Sequence, residues 1–120
     1  LLDYVDEAEK AWLFLNAYAF VSPSCVEGFG IPVLDAASLG VRVLASDLPS
    51  HKEIGNLLNT PDNFRLLDLS NIDNWIDEFN QLNSLNLCME EEIENRLSTF
   101  KTSFKDLKDD FERSIINLIN

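Results

Sequence analysis

The chain is short and strongly acidic, and both properties exclude classes of function. Its 120 residues support one domain at most. Hydrophobic residues make up 46% of the sequence, which is enough for a packed core and too many for a disordered segment. The formal net charge of −12 argues against a face that binds nucleic acid or an anionic membrane, because both need clustered Lys and Arg.

Cysteine usage and the first residue indicate the redox compartment and whether the sequence is part of a longer protein. Cys25 and Cys88 are far apart and have no histidine cluster near them, so a zinc site is not expected. Two free thiols in a reducing compartment are favoured over a disulfide. The sequence shows no signal-peptide pattern and no apolar run of membrane-spanning length. Because the chain begins at Leu1 without a methionine, we expect a piece of a longer protein.

The first predicted elements are a helix and a short strand. Apolar residues recur at helical spacing over residues 7–17, and Asp6 with Glu9 matches the capping box that begins a helix. The apolar run at residues 19–22 is followed by a proline and predicts a buried strand.

A second helix and a second strand are predicted after a glycine-containing turn. The helix covers residues 31–39, because Pro32 is tolerated in a first turn and Gly40 suits the C-terminal end. The strand covers residues 41–45, a run rich in β-branched side chains.

The elements that follow continue the alternation. A short helix is predicted at residues 51–54 and is expected to end at Gly55. A third strand is predicted within residues 63–69. The next helix starts at Asn71 or Asp73, because the apolar residues after this point again recur at helical spacing.

The last part of the sequence predicts one long helix. Apolar residues recur at intervals of three and four over residues 89–120. The charges between them, which include Arg96, are mixed in sign and indicate a solvated face. Trp12, Trp75 and the phenylalanines of this segment are expected in the core.

The order of the predicted elements determines the fold class. Alternating helices and strands imply right-handed crossovers and a parallel sheet. Three to four strands are predicted, whereas a complete doubly wound sheet has about five or six. The fold class is therefore α/β, with a partial Rossmann-like parallel sheet of three to four strands flanked by helices and a long C-terminal helix. Residues 1–120 are expected to form a single domain.

The strongest functional signal lies between the first strand and the second helix. Glu27 is followed by two glycines separated by Phe29, and Asp35 comes shortly after, inside the helix. A glycine turn before a helix points backbone N–H groups and the positive end of the helix dipole at a ligand. The alternatives are that Glu27 is an exposed turn acid and that Asp35 is an acid favoured by the helix dipole.

Two other residues could carry chemistry, and for each the surface interpretation is favoured. His51 is the single histidine, so a Ser-His-Asp site would have to use it, but its neighbours predict a surface loop. Cys25 lies beside the glycine turn, and an inert thiol is favoured over one activated by the helix start.

Several motifs together resemble a known family. They are Ser-Pro-Ser at residues 22–24, Glu-Gly-Phe-Gly-Ile-Pro-Val-Leu-Asp-Ala at residues 27–36, the strand at residues 40–46 and the segment at residues 49–54. In this order they resemble the C-terminal donor-binding half of the group 1 glycosyltransferases, which have the GT-B fold (family GT4). The likeness is dense over residues 19–54 and diffuse elsewhere.

The resemblance implies roles for the two acids and the turn between them. It places Glu27 as the catalytic residue, with its carboxylate facing the hydroxyls of the donor sugar. It places Asp35, where the family usually has Glu, as the acceptor for the ribose hydroxyls of the nucleotide. Backbone amides near the helix start would meet the diphosphate. The donor-binding residues implied in this way are Gly28, Phe29, Gly30, Ile31, Val33, Leu34 and Asp35.

The resemblance also implies the reaction and its participants. The parent protein would transfer a sugar from a nucleotide-sugar donor to an acceptor with retention at the anomeric carbon. No metal and no cofactor are expected. The expected partners are a nucleotide-diphosphate sugar and an unidentified acceptor, without nucleic acid. A cytoplasmic location is implied. Attachment to the inner membrane face is an added possibility, and it would involve the family's N-terminal acceptor-binding domain, which this sequence does not include.

One departure from the family bears on activity. The phosphate-binding Arg and Lys of the family lie upstream of the region that this chain resembles. Lys10 is expected on a surface helix and Arg42 at the far end of a strand, so neither is expected to replace them. We therefore expect these 120 residues to be inactive alone, because diphosphate beside two acids would be repelled. The alternative function is a non-catalytic oligomerisation or binding module that pairs through an exposed sheet edge.

Overall fold

The computed structural model describes residues 3–59, 62–85, 90–98 and 100–102. Its elements are, in chain order, α1 (Glu7–Asn16), β1 (Phe20–Ser22), α2 (Ile31–Ser38), β2 (Val43–Ser46), α3 (Pro49–Leu58), β3 (Phe64–Leu67) and α4 (Ile72–Ser84). Residues 90–98 and 100–102 are also helical. The rest of the long helix predicted at residues 89–120 lies outside the described residues. The predicted α/β class is confirmed.

The described strands form one parallel sheet in the order β1-β2-β3. Phe20 lies opposite Val43, and Val43 lies opposite Phe64. Because the strands are parallel, their carboxyl ends lie at one edge of the sheet, where Ser22 ends β1 and Ser46 ends β2. Three strands within the described residues agree with the predicted partial Rossmann-like sheet.

The core has two layers, one on each face of the sheet. On one face α2 and α3 bury the larger cluster, which contains Phe14, Val33, Ala36, Ala37, Val41, Val43, Ala45, Ile54 and Phe64. On the other face Trp75 of α4 packs with Leu44 and Leu67. The strands are therefore covered on both sides, which explains why their sequences are apolar runs and do not alternate.

Local signals predicted the ends of some helices and missed those of others. The capping box at α1 is confirmed, since the Asp6 carboxylate accepts from the Glu9 amide at 2.8 Å and the Glu9 carboxylate accepts from the Asp6 amide at 2.9 Å. The predicted end of a helix at Gly55 was wrong, because α3 continues through it. A Cβ atom at this position would lie 3.4 Å from the ring of Phe64, an ordinary van der Waals contact, so α3 packs directly on β3 at this glycine. The helix ends at Asn59, in a left-handed conformation.

The predicted core positions have mixed outcomes. Trp75 is buried, and its indole N–H donates to the Asp68 carbonyl at 3.0 Å. Trp12 is 63% exposed, so its assignment to the core was wrong. Arg96 was expected on a solvated face and is 1% exposed. Its guanidinium donates to the Leu15 carbonyl at 2.6 Å, at the end of α1, and burial lowers its pKa from the ordinary value.

The two tryptophans form a matched pair for a stability test. We expect Trp75→Ala to lower the free energy of unfolding by about 3–5 kcal/mol, because it leaves a cavity and an unpaired carbonyl. Trp12→Ala should change it by less than about 1 kcal/mol, because most of this side chain is already in water. Urea unfolding followed by circular dichroism measures both, and equal losses would contradict the fold described here.

Candidate functional site

The candidate site lies above the carboxyl ends of β1 and β2, where the loop at residues 23–30 joins β1 to α2. A serine hydroxyl fixes this loop to the neighbouring strand. The Ser46 hydroxyl donates to the carbonyl of Ser24 at 2.6 Å, and it lies 3.4 Å from the carbonyl of Ser22. The end of β2 therefore determines where the loop lies.

His51 is the buried residue beneath this loop. Its side chain is 0% exposed, Nδ1 lies 2.7 Å from the Ser46 carbonyl oxygen, and Nε2 lies 2.9 Å from Oε2 of Glu27. The prediction that His51 is a surface residue was wrong, because α3 begins at Pro49 and its helical register turns His51 inward with Ile54. The spacing of His51, Ile54 and Leu58 is the sequence signal that could have revealed this face.

Glu27 is anchored by this contact and remains accessible. Its side chain is 24% exposed. Oε2 is engaged by the imidazole of His51, whereas Oε1 receives no hydrogen bond from the residues that the structure describes. The carboxylate thus presents one oxygen that can accept a hydrogen bond from a ligand above the sheet.

Gly30 brings the turn against the same imidazole. It is the N-cap of α2 and has φ of 85°, a left-handed conformation that favours glycine. A Cβ atom there would lie 3.3 Å from Cδ2 of His51. Gly28 differs in both respects, since nothing lies within 4 Å of its Cβ position and its φ is not positive.

The start of α2 separates the other predicted donor-binding residues. Phe29 and Ile31 are 46% and 62% exposed and form an apolar rim, whereas the Val33 side chain is buried in the core. The Leu34 amide already donates to the Gly30 carbonyl at 3.0 Å. The amides of the first turn, which precede Leu34, are those that a helix leaves for an external acceptor.

Asp35 pairs with a residue of α1. Oδ2 lies 3.2 Å from Nζ of Lys10 on α1, and the same ammonium lies 2.8 Å from Oε2 of Glu7. The bonds to Glu7 and to Asp35 raise the pKa of Lys10. Their contribution to stability is therefore present at neutral pH and is lost when the pH rises through that raised pKa. Sequence reasoning missed this pairing because Lys10 and Asp35 are 25 residues apart.

Two other kinds of site find no support in the described part of the chain. No group of three or more His, Cys, Asp or Glu side chains there could hold a metal ion. Ser46 presents its carbonyl to His51 and directs its hydroxyl to the loop, so it is not placed as a nucleophile. Cys25 is exposed, and Cys88 lies outside the described residues. No helix in the described ranges is long and apolar enough to cross a membrane.

Comparisons with known proteins find one family and several curated relatives. The family Glycosyl transferases group 1 matches residues 1–96. O-antigen chain mannosyltransferase B of Escherichia coli is 43% identical over 53 residues, which cover 44% of this chain and 14% of that protein. O-antigen chain mannosyltransferase RfbU of Salmonella typhimurium is 43% identical over 53 residues, which cover 42% of this chain and 15% of that protein.

A third relative, O-antigen biosynthesis glycosyltransferase WclY of Escherichia coli, is 38% identical over 53 residues, which cover 44% of this chain and 14% of that protein. The chain spans 14–15% of the length of these relatives. No solved structure matches it.

The two glycines of the turn allow a controlled test of this geometry. We expect Gly30→Ala to lower the free energy of unfolding by about 1–2 kcal/mol, because alanine is strained at positive φ and its Cβ would press on His51. Gly28→Ala should change it by less than about 0.5 kcal/mol. Thermal or urea unfolding of both variants measures the difference, and a turn that tolerated both alanines equally would contradict the described backbone.

Proposed function

This chain belongs to the group 1 glycosyl transferases, and from that membership we propose that it forms part of the donor site of a retaining, nucleotide-sugar-dependent enzyme of the GT4 type. The observation that carries the proposal is Glu27, anchored at the carboxyl edge of a parallel sheet with one oxygen free. Ligands of open α/β sheets bind outside this edge. The donor is a nucleoside-diphosphate sugar, and the acceptor is another sugar.

Each part of the site has a role in this proposal. The free oxygen of Glu27 accepts hydrogen bonds from donor sugar hydroxyls, and Asp35 accepts from the ribose hydroxyls. The first-turn amides of α2 and the dipole of this helix stabilise the diphosphate. Gly28 and Gly30 carry no side chains, so the backbone at these two positions can approach the phosphates closely.

Two relatives suggest the sugar. Both are named mannosyltransferases of O-antigen chains, and their identity of 43% falls in a matched stretch of 53 residues. Mannose is therefore the sugar that we propose first. A cytoplasmic location, with contact to the inner membrane face through the remainder of the protein, belongs to the same proposal.

We further propose that the 120 residues bind donor weakly and do not catalyse transfer alone. Lys10 offsets the charge of Asp35, but it is held by Glu7 and Asp35. Cations that clamp the diphosphate, and a half that holds the acceptor, are expected from the remainder of the longer protein. Metal ions are not required in this proposal, since the helix start and such cations would supply the positive charge.

Donor binding and transfer test the proposal. In the natural protein that carries this sequence, nucleoside-diphosphate mannose with guanosine, uridine or adenosine should bind in calorimetry and be consumed in the presence of acceptor. Glu27→Gln should lower kcat/KM by roughly 10- to 100-fold, because a hydrogen bond to a charged group is lost. Asp35→Asn should mainly weaken donor binding. Asp77→Asn, on the exposed side of α4, is the matched control and should change neither.

The stereochemistry of the product completes this test. Proton NMR of the glycoside should show the anomeric configuration of the donor sugar. Inversion would refute the retaining mechanism and leave the family assignment intact. Failure to bind or consume any of these donors would refute the proposed function, whereas a Glu27→Gln variant with the kcat/KM of the natural protein would refute the proposed role of Glu27.

The open edge of the sheet supports a second candidate function. Among the described strands β1 pairs only with β2, and a groove lined by Tyr18, Val21 and Phe79 runs beside it. An unpaired edge next to apolar side chains is a template for self-association. In this case the 120-residue chain should form dimers in size-exclusion chromatography with light scattering, and Tyr18→Lys should make it monomeric. A monomer at every concentration would exclude the candidate.

A further inference from the structure

We infer that His51 is the positioning residue of Glu27 and that it acts through one proton held between Nε2 and Oε2. This inference rests on the proposed function only where it assigns a consequence for donor binding. The proton itself follows from hydrogen-bond chemistry at a fully buried ring.

The other ring nitrogen, Nδ1, must carry a proton. A carbonyl oxygen can only accept a hydrogen bond, so the 2.7 Å contact between Nδ1 and the Ser46 carbonyl requires a proton on Nδ1. In a neutral imidazole, Nε2 would then carry a lone pair. A carboxylate oxygen also offers only lone pairs, and two lone pairs 2.9 Å apart inside the protein would repel. A proton must therefore lie between Nε2 and Oε2.

The ring is the group that holds this proton. Imidazole is a stronger base than a carboxylate, so the pair is an imidazolium and a carboxylate. The ring is 0% exposed, and a buried charge needs a partner, which Glu27 provides. The other charged side chains near this point of α3 do not compete, because Lys52 pairs with Asp47 at 2.8 Å and both are about half exposed. Asp35 is paired with Lys10 on α1.

Two consequences for the donor follow. The pair as a whole has no net charge, so Glu27 does not oppose the approach of a diphosphate as an isolated carboxylate would. The imidazolium also fixes the direction of the carboxylate, which leaves Oε1 toward the ligand. Loss of the proton would remove both effects and weaken donor binding.

A magnetic resonance experiment tests the proton without any donor. Because His51 is the single histidine, its ring nitrogens are unambiguous in a nitrogen-15 labelled chain. Near neutral pH both nitrogens should carry protons. In Glu27→Gln the side-chain amide can donate to Nε2, so the ring should become neutral, with its proton on Nδ1. A neutral ring in the unmodified chain, or the same ring state in both proteins, would overturn the inference.

A binding experiment on the natural protein tests the positioning. His51→Gln should weaken nucleotide-sugar binding by roughly 10- to 100-fold near neutral pH, since a carboxylate that has lost its orientation is misplaced. In the Glu27→Gln background the same substitution should cost little further affinity, because the carboxylate that His51 positions is already gone. Lys52→Gln, the exposed neighbour on α3, should keep the affinity.

The results of these experiments distinguish positioning by His51 from the proposed donor-binding function. If the ring is doubly protonated and His51→Gln keeps the affinity of the natural protein, or weakens it equally in the Glu27→Gln background, positioning is refuted. If the natural protein binds no nucleotide sugar, the proposed function fails, whereas the magnetic resonance result still decides the proton. Thermal melting of Glu27→Gln and His51→Gln verifies that both are folded when measured.

Discussion

The contact between His51 and the turn above it is the constraint on which the site depends. One imidazole joins the end of β2, through the Ser46 carbonyl, to Glu27 in the loop after β1. The same ring lies against Gly30, which begins α2. Two strands and two helices thus converge on a side chain with no exposed surface. The direction of Glu27 is consequently a property of the packed core.

Glu27 of the glycine turn and Asp35 of α2 each contact a different partner. Glu27 is held from α3, and Asp35 is held by Lys10 from α1. The sequence alone suggested two uncompensated carboxylates beside a diphosphate, which would be unfavourable. The fold changes this expectation, because elements distant in sequence supply a partner for each acid. The strongly acidic composition of the chain therefore does not describe the local charge at the site.

Local patterns predicted much of the fold, and long-range packing determined the rest. Short-range capping and apolar periodicity located α1 and the alternation of strands and helices. The same patterns failed at Gly55 and His51. Whether a glycine ends a helix, and whether a histidine is buried, depends on the element that packs against it, and local sequence does not show that element. For the candidate site, the family motif suggested Glu27 and Asp35, whereas neither of their partners, His51 and Lys10, was predicted.

The contacts beneath the turn are long-range, and this determines whether the motif can be moved into another protein. The hydrogen bonds that hold the loop join residues 22 and 24 positions apart, on either side of a complete crossover between parallel strands. A peptide limited to residues 19–37 would keep the glycines and both acids but lose Ser46, His51 and Lys10. The geometry of the turn therefore depends on residues outside the motif, and transplanting it into another scaffold requires the neighbouring strand and helix as well.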